Sequence, residues 1–200
     1  EAEGWFIGCP LTAKQMVELP EEFVMDRIIE SGKVAQELGA KIVGLGAFTS
    51  IVGDAGITVA KNLDIAVTSG NSYTVATAIQ GTKQAARMMG KDLKECRAVV
   101  VGATGSIGAA SVRLLAKEVK HITLVARHMG PLEELAQELI EQNHCEVAVS
   151  QDIRTSLQEA DIVITVTSAL DFLIEPGDLK PGAVVCDVAR PRNVSREVSL

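Results

Sequence analysis

Aromatic residues are almost missing from this 200-residue chain: one Trp, one Tyr and four Phe amount to 3% of it. Hydrophobic residues still make up 47%, so the interior must be built from Ala, Val, Ile and Leu, as in sheets buried between two layers of helices. No apolar run is long and unbroken enough to span a bilayer, and nothing resembles a signal peptide. These absences predict a soluble, cytoplasmic protein with no integral membrane segment. Lys and Arg are nowhere clustered, and the net charge of −7 speaks against nucleic acid as a partner. The four cysteines, Cys9, Cys96, Cys145 and Cys186, lack metal-ligand spacing, so no metal is expected. Cys145 and Cys186 lie in or beside predicted strands and read as small buried thiols. His121 opens a strand and His144 lies in a turn, neither with a second ligand nearby.

What is present is concentrated in Arg97-Ala-Val-Val-Val-Gly102-Ala103-Thr104-Gly105-Ser106-Ile107-Gly108, which reads as a buried strand, a glycine turn and the start of a helix. In that context each glycine has a task. Gly102 takes the tight turn, Gly105 lets a pyrophosphate approach the backbone, and Gly108 lets the helix pack closely on the strand. The N–H groups of the helix start then face the phosphates. A second strand, Ile122–Ala126, completes a βαβ unit of the length this motif requires.

The end of that second strand bears on which dinucleotide is bound. An Asp or Glu there accepts the ribose hydroxyls of NAD, whereas Arg suits the 2′-phosphate of NADP. The sequence reads Ala126-Arg127-His128, with no carboxylate before Glu133. Arg127 offers a planar fork and His128 a second donor, which predicts NADP(H). The alternative is that Arg127 is a solvated loop cation. The only tyrosine, Tyr73, is followed four residues later by Thr77 rather than Lys, which removes the Tyr-x-x-x-Lys pair of short-chain dehydrogenases.

From Arg97 onward strands near 97–101, 122–126, 146–149, 161–166 and 183–187 alternate with helices near 106–118, 131–143 and 155–159. Such alternation gives a parallel sheet with right-handed crossovers. Before it lie an extended arm, a helix from Pro20 to Leu38, strands at 41–47 and 65–68 with a short helix near 52–61 between them, and a helix from Tyr73 to Met89. Ala76, Ile79, Ala86 and Met89 would form the buried side of that last helix. The expected fold class is α/β: a Rossmann-type parallel sheet at 91–200, preceded by a smaller α/β substrate or catalytic domain at 1–90, with the cleft between them. Both ends look cut, since there is no initiating Met and a nucleotide domain normally has a sixth strand. The chain is therefore expected to be part of a longer protein or to have a trimmed terminus.

Polar groups cluster at predicted strand ends, where open α/β sheets place ligands. Thr167, Ser168 and Val188 follow the fourth and fifth Rossmann strands and are expected beside the nicotinamide. In the first part, Thr49 and Ser50, and then Ser69, Gly70, Asn71 and Ser72, are uncharged strand-end groups suited to a substrate carbonyl or the nicotinamide amide. Alternatively, Asn71 or Ser72 only caps the helix that follows.

Gly46–Ile51, Thr68–Thr74 and Val101–Gly108 occur in an order that resembles the long-chain acyl-[acyl-carrier-protein] reductases, over about Ile7 to Arg192. The resemblance implies NADPH-dependent reduction of a fatty acyl thioester, carried on acyl carrier protein or CoA, to an aldehyde. In that family the thioester-forming cysteine lies beyond the position of Leu200, so the catalytic residue is unknown here, and Cys9 is not assigned as the nucleophile. The segment Asp187–Asn193 is similar to a strand-end motif of glutamyl-tRNA reductases, and the Rossmann half is similar to the shikimate dehydrogenase group. Two alternatives stay open. One is a shikimate-type alcohol oxidoreductase, which needs a Lys–Asp acid–base pair for which Lys61 is the only suitably placed lysine. The other is a non-catalytic NADP-binding module. The partners expected are a small-molecule or carrier-bound acyl substrate, with homo-oligomerisation left open.

Overall fold

A computed structural model describes residues 3–142, 145–169 and 172–199; His144 lies outside them. The chain divides into two compact units, Glu1–Asn71 and Ser72–Leu200.

In the first unit, Thr12 and Gln15 cap each other reciprocally and start α1 (Ala13–Glu18). Pro20 stands one residue ahead of α2 (Glu21–Glu37), whose first-turn Glu21 and Glu22 suit the positive end of the helix dipole. Val24, Met25, Ile28 and Ile29 share one face of α2 and close a small core with Met16, Leu45 and Val59. Strand β1 (Ile42–Gly44) pairs in parallel with β2 (Ala66–Thr68). Between them lie a 3-10 turn, Ala47–Ser50, and α3 (Ile57–Lys61). This helix starts later than its apolar pattern suggests, because Gly53, Ala55 and Gly56 take left-handed backbone, with φ +69°, +58° and +93°, which a right-handed helix excludes.

The second unit opens with α4 (Asn71–Met88), which buries Val75, Ile79, Thr82 and Ala86. That spacing corrects the expected face: Ala76 is exposed, and Met89, beyond the helix end, is 58% exposed. Val75, Ile79 and Ala86 join the larger core, and the two compact units divide after Asn71, the first residue of this helix. There follow β3 (Arg97–Val101), α5 (Ser106–Leu115), β4 (His121–Val125), α6 (Met129–Gln142), β5 (Glu146–Ser150), α7 (Ile153–Leu157), β6 (Ile162–Thr165) and β7 (Val184–Asp187). The five strands form one parallel sheet in the order β5-β4-β3-β6-β7.

Both faces of this sheet are covered, which is why its central strands are continuous apolar runs. Ala98, Val100, Ile122, Leu124, Ile162 and Ile164 face a core shared with α4, α5 and α6. The intervening Val99, Val101, Val125 and Val163 face Leu157, Ala160 and Ile174 on the other side. Cys96 is the buried thiol, 3% exposed, whereas Cys145 and Cys186, expected to be buried, are half-buried.

Candidate functional site: the carboxyl edge of the parallel sheet

The chain runs outward from β3 to β5 on one side of the sheet, then crosses back to lay β6 against β3. The order therefore reverses between β3 and β6, and ligands of open α/β sheets bind outside the strand ends at such a point. The Gly102–Gly108 turn sits there. Gly102 has φ +87°, the left-handed region that side chains disfavour. Its N–H and that of Ala103 bond the Val125 carbonyl at 2.8 and 3.1 Å, fixing the turn to the end of β4. A Cβ on Gly108 would lie 2.1 Å from the Gly102 carbonyl oxygen, so only glycine lets α5 rise this close to β3. A Cβ on Gly102 would meet the Val166 carbonyl carbon at 3.1 Å and the Thr167 nitrogen at 3.2 Å. The turn is thus closed on one side by the helix and on the other by the loop after β6. Gly105 is the N-cap of α5 and supplies no side chain to cover the helix start. Ala103 and Gly108 are buried, Ile107 is half-buried, and Thr104, Gly105 and Ser106 are exposed.

At the end of β4, Ala126 is half-buried, its N–H 3.4 Å from the Ser150 carbonyl. Arg127 and His128 are exposed between β4 and α6. The Gln151 amide donates to the Arg127 carbonyl at 2.5 Å and holds this backbone. Among the described residues, the Arg127 guanidinium has no ion-pair partner. An open cation at this strand end fits a phosphate.

The ends of β6 and β7 are joined. The Val188 N–H bonds the Thr165 carbonyl at 2.9 Å. Thr167 is half-buried and Ser168 exposed, and the Thr167 hydroxyl accepts the Ala169 N–H at 3.1 Å. The Gly102–Gly108 turn, Ala126–His128, Thr167–Ser168 and Val188 therefore lie along the carboxyl edge of one sheet.

In the first unit the two polar loops leave the carboxyl ends of β1 and β2, which the Leu45 N–H ties together through the Thr68 carbonyl at 2.8 Å. The Thr49 and Ser50 hydroxyls each donate at 2.7 Å to a local carbonyl, those of Gly46 and Ala47, so their hydrogens are engaged in the turn. Thr68 accepts the Gly70 N–H at 3.1 Å. Ser69, Gly70 and Asn71 are half-buried and Ser72 is exposed, with Asn71 the first residue of α4. Lys61 is exposed at the end of α3, and Asp64 is engaged by both ends of the Gln36 amide, at 2.8 and 3.1 Å.

The strongest charge cluster is elsewhere, at the amino edge of the large sheet. Asp161 contacts Lys180 at 2.8 Å, Lys91 at 3.2 Å and the Arg97 N–H at 3.0 Å. Burial pushes its carboxyl up, but the Arg97 N–H and the two ammonium groups outweigh burial and hold it at about 2. Its place, opposite the glycine turn, makes it a structural clamp.

Asp187 and Asn193 are the residues whose roles were not legible in the sequence. They read there only as parts of a strand-end motif, yet Asn193 is fully buried and binds Thr165 and Thr167, 28 and 26 positions away. Contacts of such span leave no local pattern.

A parallel sheet of this order with a glycine turn at its reversal point defines a nucleotide-binding Rossmann domain of the dehydrogenase and reductase kind. The shikimate/quinate 5-dehydrogenase family profile matches residues 83–200, more than half the chain, and the chain belongs to that family. Curated relatives extend the similarity into the first unit. The chain is 32% identical over 197 residues to the aminotransferase PigE of Serratia, covering 98% of this chain and 23% of that protein. It is 29% identical over 189 residues to the long-chain acyl-[acyl-carrier-protein] reductase of Synechococcus elongatus, covering 86% of this chain and 52% of that one. It is 25% identical over 181 residues to the glutamyl-tRNA reductase of Trichodesmium erythraeum, covering 86% and 41%. The chain thus spans between about a quarter and about half of these relatives. Among solved structures, a dipicolinate synthase chain from Bacillus halodurans superposes with a TM-score of 0.53 at 15% identity, over 90% of this chain and 58% of that one. The Δ1-pyrroline-2-carboxylate reductase of Thermococcus litoralis, in complex with NADH and L-proline, gives 0.52 at 16% identity, over 64% and 41%. At these identities the two structures speak to the fold.

Proposed function

We propose that this chain is the NADP(H)-binding part of a reductase that acts on a carrier-bound acyl group, most closely an acyl thioester converted to an aldehyde. The observation that carries the cofactor half is the backbone cradle at Gly108, where a Cβ would stand 2.1 Å from a carbonyl oxygen, beneath a helix start with no side-chain cap. The residues fit the group. Gly102–Gly108 would take the pyrophosphate, Arg127 and His128 the 2′-phosphate, and Thr167, Ser168 and Val188 the nicotinamide side. When bound, the reduced nicotinamide supplies a hydride to an electrophilic carbonyl carbon. The chain's own task is to orient and shield: the loops after β3 and β6 hold the dinucleotide on the sheet edge, and the phosphate charge is met by N–H dipoles and Arg127.

The substrate half rests on the relatives. Two are named as reductases of an acyl group borne by a larger carrier, a protein in one case and a tRNA in the other. The net charge of −7 disfavours the nucleic acid carrier. Ser69–Ser72 are assigned to the substrate carbonyl, and Thr49 and Ser50, whose hydroxyl hydrogens are engaged by Gly46 and Ala47, can serve the substrate only as acceptors. The alcohol oxidoreductase alternative needs a Lys–Asp pair, whereas Asp64 is occupied by Gln36, and the Lys91–Asp161 and Lys180–Asp161 pairs lie at the wrong edge of the sheet.

Assay of the complete protein with NADPH against acyl-carrier-protein thioesters and acyl-CoA, and with NADP+ against shikimate and quinate, decides between these readings. NADPH consumption with stoichiometric aldehyde and free thiol supports the proposal; turnover of shikimate or quinate alone refutes it, and tight NADPH binding without turnover of any of them assigns a non-catalytic module.

A further inference from the structure

One buried side chain ties together the two loops that border the nicotinamide side. Asn193 lies six residues beyond β7 and is fully buried, as is Thr165 at the end of β6. Its Oδ1 accepts two hydroxyls, from Thr165 at 3.0 Å and Thr167 at 2.7 Å. Its Nδ2 donates to the Ala169 carbonyl at 3.2 Å. The Asp187 carboxylate in turn fixes Asn193 by accepting the N–H groups of Asn193 at 3.0 Å and Val194 at 3.1 Å, and with its other oxygen that of Ala189 at 3.0 Å. The Asn193 carbonyl accepts the N–H groups of Leu173 and Ile174, at 2.7 and 3.2 Å. Only an amide can do this. The site needs an acceptor for two hydroxyls and a donor to a carbonyl on one planar group, which a carboxylate, lacking the donor, and an alkyl chain, lacking both, cannot supply.

We propose that Asn193 is a positioning residue for the nicotinamide half of the site, holding the 166–169 loop at the height at which it borders the glycine turn. This rests on the cofactor reading above. The path is short: Asn193 grips Thr167, and a Cβ on Gly102 would lie 3.2 Å from both the nitrogen and the Cγ2 of Thr167. The loop therefore lies over the face of Gly102, where a side chain would not fit. It is kept from rising by the Thr165, Thr167 and Ala169 bonds, since a buried amide whose partners are removed leaves polar groups unpaired. The adenine half of the site, at Arg127, is served by β4 and Gln151 and not by this network.

The test separates the two halves of the cofactor. NADPH and adenosine 2′,5′-bisphosphate, which lacks the nicotinamide, are titrated into the wild-type chain and into Asn193→Ala, Thr167→Val and Thr167→Ser. Thr167→Val keeps the volume but loses the hydroxyl, and Thr167→Ser keeps the hydroxyl. The expected result is that Asn193→Ala and Thr167→Val weaken NADPH about tenfold, the effect of one lost hydrogen bond. The bisphosphate should bind each variant as it binds wild type, and Thr167→Ser should restore NADPH affinity. Equal losses for both ligands, or no loss of NADPH in Thr167→Val, would overturn the proposal. If Asn193→Ala does not fold, Thr165→Val decides, since the buried Thr165 hydroxyl bonds Asn193 and is not placed at the cofactor: it should weaken NADPH and leave the bisphosphate unchanged, and an absent or unsplit loss overturns the proposal. A wild-type chain that binds neither ligand overturns the cofactor reading and this proposal together, whereas wild-type binding with unsplit losses overturns this proposal alone.

Discussion

Gly108 and Gly102 are in backbone contact: a Cβ on the first would come within 2.1 Å of the carbonyl oxygen of the second and 2.9 Å of its carbonyl carbon. The opposing atoms are main chain, fixed by the bonds from Gly102 and Ala103 to Val125, so no side-chain rotation relieves the clash. The helix start is brought close to the end of β3 for this reason, and the anion cradle is a consequence of the packing.

Gly108→Ala is therefore expected to displace α5 from β3. Overpacking of this kind costs roughly 1–3 kcal/mol, read as a lowered denaturation midpoint, and NADPH affinity should fall with it. Gly130→Ala is the control, since nothing lies within 4 Å of a Cβ there. A Gly108→Ala protein of wild-type stability and affinity would show that the close approach of α5 to β3 holds neither the fold nor the cofactor.

Asp161 makes stability pH-dependent at the other edge of the sheet. Its carboxyl is held at about 2 against an ordinary 3.8. A group with a depressed folded-state value stabilises the fold fully above the unfolded value and loses that contribution as pH falls through the folded one. Its side chain is 16% exposed, so little screening applies, and the contribution near neutral pH is about 2 kcal/mol. Asp161→Asn should be less stable than wild type by about that amount above pH ~4, with the gap closing toward pH ~2. Denaturant titrations across that range measure it; a gap independent of pH would show that the mutation acts through packing instead.

The large sheet was legible because its strands are apolar runs punctuated by glycine and polar turns. Arg97–Val101 lies where the pattern puts it, and the helix after the glycine turn begins at the expected Ser106. Less was legible where local chemistry or long-range contact decides. Left-handed backbone at Gly53, Ala55 and Gly56 delays the start of α3. The buried face of α4 is set by Val75 and Thr82, and a polar threonine does not mark a core face in a hydropathy pattern. The Asp187–Asn193 network joins segments more than twenty residues apart, which no spacing within one element reveals.

Asn71 leads α4 at the end of the β2 loop, and we assign it to the substrate side. In the complete protein, Asn71→Ala is expected to lower kcat about tenfold, the loss of one orienting hydrogen bond, while binding of adenosine 2′,5′-bisphosphate stays unchanged. Unchanged turnover would confine Asn71 to helix capping.

We assign this sheet edge to NADP(H), with Arg127 on the 2′-phosphate, and paired titrations of NADPH and NADH into wild-type and Arg127→Ala chains measure that assignment. A charge-assisted bond contributes about 1.5–3 kcal/mol, so the expected result is a loss of about 10- to 100-fold for NADPH and little change for NADH. Equal losses for the two cofactors, or a wild-type chain that binds NADH more tightly than NADPH, would contradict it.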